Sequence, residues 1–299
     1  MWINKTIFPA FTLLAKIFRT MMNPEFESPE MQREYEWMKS ERQMHELYQI
    51  GIEKILNKEQ AESLFENGES CLCCIDEGTD NGLFRVPGSA ILLSEEERES
   101  LIDRLQAMGI KGVRSHEGCG AAEKYCKDNN ITDKSIDEVA IEKAKELAER
   151  LHVPYFGHSE KISRPKEFHF ARVVYYDGTG QFNQAASKDH LPPGFVVSRR
   201  FLHNLDENDQ TENQYKPAID STKLAIQIAL GEHGFGKKIT EHKPLLLVGL
   251  GDPLDSMFNM DAMRRELQDI VENIAKTDPD IVKRLRIDVA NAPTEHTRN

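Results

Sequence analysis

The stretch that decides the fold covers residues 71–122 and reads CLCCIDEGTDNGLFRVPGSAILLSEEERESLIDRLQAMGIKGVRSHEGCGAA. It contains two short clusters, Cys74-Ile75-Asp76 and His116-Glu117-Gly118-Cys119, which together offer two thiolates, an imidazole and a carboxylate. Zn²⁺ favours thiolate and imidazole ligands, and a catalytic zinc site keeps one position exchangeable. The stretch therefore predicts a zinc site with Cys74, His116 and Cys119 as ligands.

The secondary structure expected here brings both clusters to one edge of a sheet. Residues 70–76 have the composition of a strand, so Cys74 and Asp76, two positions apart, share a face at its carboxyl end. Residues 100–108 have the apolar spacing of a helix, and residues 110–115 read as the next strand, which ends just before the second cluster. Binding sites in open parallel sheets form outside the carboxyl ends of the strands. We therefore expect the two clusters to meet.

This order of motifs resembles the β-class carbonic anhydrases over residues 68–185. Cys-x-Asp at one strand end is followed by a helix and then by His-x-x-Cys-Gly at the next strand end. Residues 87–92 stand where that family has its second strand, and residues 176–180 resemble its late Tyr-Asp-x-x-Thr-Gly turn. The resemblance implies an α/β fold around a mostly parallel β-sheet flanked by helices, a Zn²⁺ cofactor, and a homodimer or higher homo-oligomer.

The resemblance also implies an activity, the zinc-dependent reversible hydration of CO₂ to bicarbonate. A zinc ion lowers the pKa of a bound water to about 7, so that hydroxide is available at neutral pH. The zinc-bound hydroxide would attack CO₂ held in an adjacent apolar pocket. In this scheme Asp76 is the catalytic carboxylate, which hydrogen-bonds the bound water.

One residue departs from the family pattern. The family has Cys-x-Asp-x-Arg, in which the arginine orients the aspartate, whereas Gly78 occupies the arginine position in this chain. Arg85 and Arg114 are the candidates to supply the missing charge. Without a fixed arginine partner, Asp76 could turn onto the metal and close the site. The sequence therefore predicts the zinc site more firmly than it predicts the activity.

Four other interpretations remain open at this stage. The protein could be a zinc-binding family member without anhydrase activity that serves in an interaction, or a hydrolase of another CO₂-like substrate. A structural zinc site could use Cys71 together with Cys74, His116 and Cys119, although residues 71 and 74 of a strand face opposite sides. The cysteines could also be buried hydrophobic residues, but that leaves the paired spacing at the strand ends unexplained.

Composition limits the class of protein and its compartment. The 299 residues are 39% hydrophobic, which allows a sizeable core, and the net charge is −12. So acidic a chain is a poor candidate for binding nucleic acid, which needs a basic surface. Five cysteines, four of them within residues 71–119, favour ligands over disulfides and hence a reducing, cytoplasmic location. Residues 7–15 are apolar but too short to span a bilayer; they could belong to an N-terminal targeting segment.

The chain divides by pattern into three parts. Residues 1–66 form an N-terminal extension and helical arm, which could pack on a partner subunit, as the resemblance implies, or on its own chain. Residues 67–185 form the zinc-binding domain. Residues 186–299 form a C-terminal α/β extension without metal ligands. Several segments after residue 173 echo the zinc stretch in order, so the second half could be a degenerate repeat that serves as a built-in partner for the first.

Overall fold

Two four-stranded parallel sheets with flanking helices form the protein, as a computed structural model shows. The structure describes residues 28–57, 61–65, 68–79, 82–165, 167–202 and 216–293. Its helices are α1 (Pro29–Leu56), α2 (Glu95–Ala107), α3 (Gly120–Asp128), α4 (Ile136–Leu151), α5 (Gln184–Ser187), α6 (Lys216–Leu230), α7 (Met260–Ala275) and α8 (Pro279–Val282). Its strands are β1 (Glu69–Cys73), β2 (Gly82–Arg85), β3 (Gly112–His116), β4 (Tyr155–Ser159), β5 (Val173–Asp177), β6 (Gly194–Val197), β7 (Leu245–Gly251) and β8 (Leu285–Asn291). The predicted α/β fold class is confirmed.

The first sheet has the strand order β2-β1-β3-β4, and all its strands are parallel. β1 and β3 are neighbours, with Leu72 opposite Val113 in the register. Both residues are fully buried, as expected for central strands covered by helices on both faces. The carboxyl ends of these two strands therefore lie side by side, and they carry the two clusters of the zinc stretch.

The second sheet has the order β6-β5-β7-β8 and repeats the topology of the first. Its central strands are buried along their whole length, because an unbroken apolar run such as Leu245–Gly251 suits a strand that is covered on both faces. In this correspondence β5 is the counterpart of β1, so Asp177 stands where the first half has Asp76. The second sheet begins with β5, before residue 186. The equal strand order agrees with the repeat that the sequence suggests.

Capping residues fix where the main helices of the first half begin. Ser94 accepts a hydrogen bond from Glu97 N, and Glu97 returns one to Ser94 N, so α2 starts with a capping box. Ser135 and Glu138 form the same arrangement at the start of α4, as predicted from the sequence. α4 packs against β3, and α2 packs against α4.

The helix α1 packs against the second sheet of its own chain. Its buried residues Met44 and Leu47 belong to one cluster with Val173 of β5 and Leu246 of β7. Near the end of the helix, Ile52 N donates a hydrogen bond to a β8 carboxylate at 2.8 Å. This face of the helix therefore packs within its own chain, which is one of the two arrangements open at the sequence level.

The two halves are joined next to the end of β1. Val196 N of β6 donates to Ile75 O at 3.0 Å, and Ser198 N donates to Arg85 O at 3.1 Å. In return, Arg85 N donates to the Ser198 hydroxyl at 2.7 Å. The second half thus supports the turn that follows β1.

Several details differ from the sequence predictions. β1 ends at Cys73, so Cys74 and Asp76 lie in the turn after the strand, where the backbone no longer pairs. The second strand is β2, and Pro87–Ala90 is instead a single 3₁₀ turn, because Gly88 and Ser89 adopt positive φ angles. The strands β4 and β8 escaped prediction because they lie at sheet edges and lack continuous apolar runs. The possible targeting segment and most of the acidic loop before α6 lie outside the described residues.

Candidate metal centre

Three candidate ligands converge at the carboxyl edge of the first sheet. Cys74 follows β1, His116 ends β3, and Cys119 is the N-cap residue of α3. All three are buried, and their ligand atoms lie within 4.8 Å of one another. The two sulfurs are 4.0 Å apart, close to the separation of about 3.8 Å that two Zn–S bonds of about 2.3 Å produce in a tetrahedron. The side chains that the sequence predicts as ligands therefore lie within metal-binding distance.

The imidazole of His116 is oriented for a ligand at Nε2. Its Nδ1 lies 2.9 Å from the carbonyl oxygen of Glu117 and donates to it. Nε2 is buried and has no hydrogen-bond partner among the described residues. A backbone carbonyl on the outer nitrogen is the usual arrangement for a metal-binding histidine, since it fixes the tautomer that leaves the other nitrogen free.

The charges within the cluster favour an ionised sulfur. Contact with the Cys119 side chain lowers the pKa of the Cys74 thiol well below its usual value, and the neighbouring His116 lowers it further. Burial opposes both effects. The same contact and burial raise the pKa of Cys119. Burial lowers the pKa of His116, but the charge of Cys74 outweighs it and raises that pKa to about 9. Gly88 N also donates to the Cys74 sulfur at 3.1 Å, which stabilises the thiolate.

Asp76 has an arginine partner, and this partner is Arg164. Arg164 Nε lies 2.9 Å from both carboxylate oxygens, and Nη2 lies 2.8 Å from Oδ2. Gly78 N donates to Oδ1 at 2.8 Å. Burial raises the pKa of Asp76, but the positive charges of His169, His116 and Arg164 outweigh it and hold that pKa well below the usual range. The arginine beside Asp76 is therefore neither of the two candidates from the sequence, Arg85 and Arg114.

The two arginines considered from the sequence have other contacts. Arg85 is buried and donates to the carbonyl oxygens of Cys74 and Gly82, so it braces the turn after β1. Arg114 forms an ion pair with Glu69 at 2.9 Å. Arg164 escaped notice because it lies in the segment after β4, far along the chain from the Cys-x-Asp motif.

Gly78 makes room for Arg164. A Cβ atom at position 78 would lie 2.8 Å from Arg164 Cγ and 3.2 Å from Asp76 Oδ1. Gly78 is not among the glycines with positive φ, so steric contact and not backbone strain favours glycine here. The residue that breaks the family pattern thus leaves the space through which an arginine from another segment reaches the aspartate.

A second cluster of possible ligands, Asp76, Glu77 and His169, is a hydrogen-bond network. His169 Nδ1 donates to Glu77 Oε2 at 2.9 Å, and Phe170 N donates to Glu77 Oε1 at 2.8 Å. Both oxygens of Asp76 accept bonds from Arg164. These carboxylate oxygens already accept hydrogen bonds, and a positively charged guanidinium lies beside them. The cluster is therefore better suited to hydrogen bonding than to binding a second metal ion.

Cys71 belongs to a different part of the core. Its sulfur lies 3.8 Å from the sulfur of Cys73, and contact with Cys73 together with burial raises its pKa. The cluster at metal-binding distance comprises Cys74, His116 and Cys119 without Cys71. The structural site with four ligands is therefore not supported.

Two cavities lie near the candidate metal centre, on the side of Asp76 and Glu77. One, of about 370 Å³, has Arg164 and His169 in its wall and lies between the start of α3 and the segment before β5. Another, of about 270 Å³, reaches Glu77 and Ser163 from the side of α1. The larger cavity also reaches Gly118 and Gly120, which flank Cys119 in the chain. The cavities therefore approach residues next to Asp76 and residues next to Cys119.

Comparisons with family models, with curated proteins and with solved structures find no match for this chain. Its resemblance to the β-class carbonic anhydrases accordingly depends on the residues already described. In the part of the chain that the structure describes, no helix is both long and apolar enough to cross a bilayer.

Proposed function

We propose that the protein is a zinc enzyme that interconverts CO₂ and bicarbonate. The observation that carries this proposal is the pair formed by Asp76 and Arg164 beside the cluster of Cys74, His116 and Cys119. A structural zinc site needs only its ligands. A buried carboxylate, held ionised by a dedicated arginine next to those ligands, is what a site that handles a water molecule requires.

The three ligands fit zinc by chemistry and by spacing. Two sulfurs and one imidazole nitrogen form a common ligand set for Zn²⁺, and it leaves one position for an exchangeable molecule. The unpartnered Nε2 of His116 is the atom that such an ion would satisfy. When bound there, zinc would supply a Lewis acid that lowers the pKa of a coordinated water.

The role of Asp76 follows from its partners. Because Arg164 occupies both carboxylate oxygens and Gly78 N occupies one, the side chain is held in a single orientation. An ionised carboxylate only accepts hydrogen bonds, so Asp76 would orient a hydroxyl hydrogen of the reacting water or of bicarbonate. Arg164 is a positioning residue in this scheme, and it opposes the turning of Asp76 onto the metal.

The experiment is stopped-flow CO₂ hydration by zinc-loaded protein, with the zinc content of each sample determined in parallel. The proposal predicts a rate well above that of buffer, which is lost in Cys119→Ala. A protein that holds one zinc per chain but hydrates no CO₂ would contradict it.

The second candidate function is a zinc-dependent role without hydration, and the burial of the ligands favours it. Cys74, His116 and Cys119 are each at most 5% exposed, as in a site that only stabilises the fold. In that case zinc removal lowers the melting temperature, whereas Asp76→Asn leaves the zinc affinity unchanged and no CO₂ is hydrated.

A further inference from the structure

Three consecutive residues of the Pro87–Ala90 turn have left-handed backbone angles. Gly88, Ser89 and Ala90 have φ angles of 55°, 53° and 76°. Glycine adopts such angles readily, but a residue with a Cβ atom adopts them only at a cost in free energy. Because Ser89 and Ala90 both carry a Cβ atom, the backbone of this turn is strained.

The sequence around the turn does not account for this strain. Among the described residues, the only other non-glycine residues with positive φ are Asn130 and His152, and each lies just after a helix. A left-handed residue commonly ends a helix, because it lets donors reach the last carbonyl oxygens. Ser89 and Ala90 instead follow β2. Strained backbone persists where the surrounding structure holds it, and it is concentrated at functional sites.

Gly88 brings the turn to both cysteine ligands. Its backbone N donates to the Cys74 sulfur at 3.1 Å. A Cβ atom at position 88 would lie 2.9 Å from Ala121 Cβ and 3.5 Å from the Cys119 sulfur, so the turn lies directly against the start of α3. The left-handed angles and the lack of a side chain together let this backbone N–H reach the sulfur.

The Ser89 hydroxyl joins the turn to the strand that carries the third ligand. It donates at 2.6 Å to the carbonyl oxygen of Arg114, and β3 continues from there to His116. Ser89 is 4% exposed, so little water competes for this hydrogen bond. Of the four residues in the turn, Pro-Gly-Ser-Ala, only the serine has a polar side chain. Its hydroxyl is therefore the one side-chain hydrogen bond that the turn itself can supply to hold the strained backbone.

A change in the turn would reach the metal ligand through the backbone. If Ser89 relaxed to right-handed angles, the path of the chain would change, and Gly88 N would leave the Cys74 sulfur. A hydrogen bond to a thiolate stabilises its lone pairs and so decreases the charge that the sulfur gives to a metal. Contacts of this kind orient the ligands and tune the metal that they hold.

We propose that Ser89 is a positioning residue of the candidate metal centre. Its hydrogen bond to β3 keeps the Pro87–Ala90 turn left-handed, and the turn in this form holds Gly88 N against the Cys74 sulfur. This inference rests on the zinc site of the proposed function, but it does not depend on the hydration of CO₂.

The test uses two properties of the full-length protein that do not require turnover. One is the zinc affinity, measured by competition with a chromophoric chelator, and the other is the thiolate-to-metal absorption of the cobalt form. We expect Ser89→Ala to weaken zinc binding about 10–100-fold, the usual effect of removing a group that orients a metal ligand. The cobalt absorption should move to longer wavelength, because a sulfur without its hydrogen bond transfers charge to the metal at lower energy.

Ser221→Ala is the matched control. Ser221 is also 4% exposed, and its hydroxyl donates at 2.6 Å to the carbonyl oxygen of Pro217, but both residues lie in α6 of the second half. This variant should lower the melting temperature and leave the zinc affinity and the cobalt absorption as in the wild type. It therefore separates a general loss of stability from a change at the metal.

Ser89→Gly separates the shape of the turn from the hydroxyl group. Glycine adopts a φ angle of 53° without strain, so the turn can keep its shape without the hydrogen bond. We expect Ser89→Gly to bind zinc more tightly than Ser89→Ala, with a cobalt absorption close to that of the wild type. If Ser89→Ala alone does not fold, the same comparison is made in an Ala90→Gly background, where one strained residue is relieved.

A zinc affinity and a cobalt absorption in Ser89→Ala equal to those of the wild type would overturn the proposal. Equal losses in Ser89→Gly and Ser89→Ala, or in Ser221→Ala and Ser89→Ala, would also overturn it. Wild-type protein that binds no zinc would overturn the proposed function together with this inference. Zinc-loaded wild type that hydrates no CO₂ would overturn the proposed function alone.

Discussion

Arg164 and Asp76 form a buried pair in which two guanidinium nitrogens lie 2.8–2.9 Å from the carboxylate oxygens. Their side chains are 1% and 3% exposed. The pair links the turn after β1 to the segment after β4, so it is a tertiary contact and not part of a local motif. It places an ionised carboxylate beside the three candidate metal ligands.

We expect Arg164→Ala to be strongly destabilising. Loss of one partner leaves Asp76 buried and unpaired, which typically costs about 3–5 kcal/mol. Urea denaturation at neutral pH measures this loss in the free energy of unfolding. Arg114→Ala is the matched control: its pair with Glu69 is partly exposed, so it should cost less than about 1 kcal/mol. Equal losses in the two variants would contradict the importance of the buried pair.

Gly78→Ala should lower the free energy of unfolding more while Arg164 is present than after its replacement by alanine. The added methyl group would lie 2.8 Å from Arg164 Cγ, and crowding of this kind costs about 1–3 kcal/mol. In an Arg164→Ala background the contact with Cγ is removed and only the contacts at 3.2 Å with Asp76 Oδ1 and at 3.3 Å with the Cβ of residue 164 remain, so the same substitution should cost less. A double-mutant cycle of unfolding free energies measures this coupling. Additive effects would show that position 78 requires glycine for another reason.

Removing the charge of Asp76 and removing that of Asp177 should have opposite effects on the free energy of unfolding at neutral pH. The pKa of Asp76 is lowered, so its stabilisation is present above the unfolded pKa of about 3.9 and is lost as the pH falls below it. Burial raises the pKa of Asp177, so its charge weakens the fold at neutral pH, and this cost disappears as the pH falls through the raised pKa. Asp76→Asn should therefore lower the free energy of unfolding at pH 7.

Asp177→Asn should leave that free energy unchanged or raise it. Oδ1 of Asp177 accepts bonds from Thr179 and Gly180, which asparagine can also accept, and Oδ2 has no hydrogen-bond partner among the described residues. Urea denaturation of both variants between pH 5 and 7 makes the comparison. A loss above about 1 kcal/mol in Asp177→Asn would contradict this assignment.

Metal content should identify the ligands independently of activity. Wild-type protein is expected to bind one zinc per chain, and replacement of Cys74, His116 or Cys119 by alanine should abolish stoichiometric binding. Cys71→Ser should retain it, because that sulfur faces Cys73. Elemental analysis, together with the thiolate-to-metal absorption of the cobalt form, measures occupancy and sulfur ligation. Loss of zinc in Cys71→Ser would reinstate the structural site with four ligands.

The ligands were predictable because each lies next to a strand end. The position of Cys74 just after β1, that of His116 at the end of β3 and the parallel order of the sheet are enough to bring Cys74 and His116 together. Arg164 and His169 were not predictable, because they come from an irregular segment whose path depends on packing against the second half. Gly78 was the one indication in the sequence of the position of Arg164, because a glycine in place of an expected arginine leaves room for another side chain.

Only the order of the segments in the repeat was predictable from the sequence. The order of apolar segments suggested a second copy, and the equal strand order of the two sheets agrees with it. What the order of segments does not reveal is that the second half braces the turn after β1 through backbone hydrogen bonds from Val196 and Ser198. Contacts of this kind join residues that are distant in the chain and carry no pattern of their own.

The most direct test of the proposed function compares CO₂ hydration by wild-type protein, Arg164→Ala and Arg164→Ala/Gly78→Arg at equal zinc content. We expect rapid hydration by the wild type and a loss of about 10–100-fold in the single variant, the usual cost of removing a group that orients a metal site. The double variant should recover part of the rate, because an arginine at position 78 can again reach Asp76. A wild-type rate equal to that of buffer, or full activity in Arg164→Ala, would contradict it.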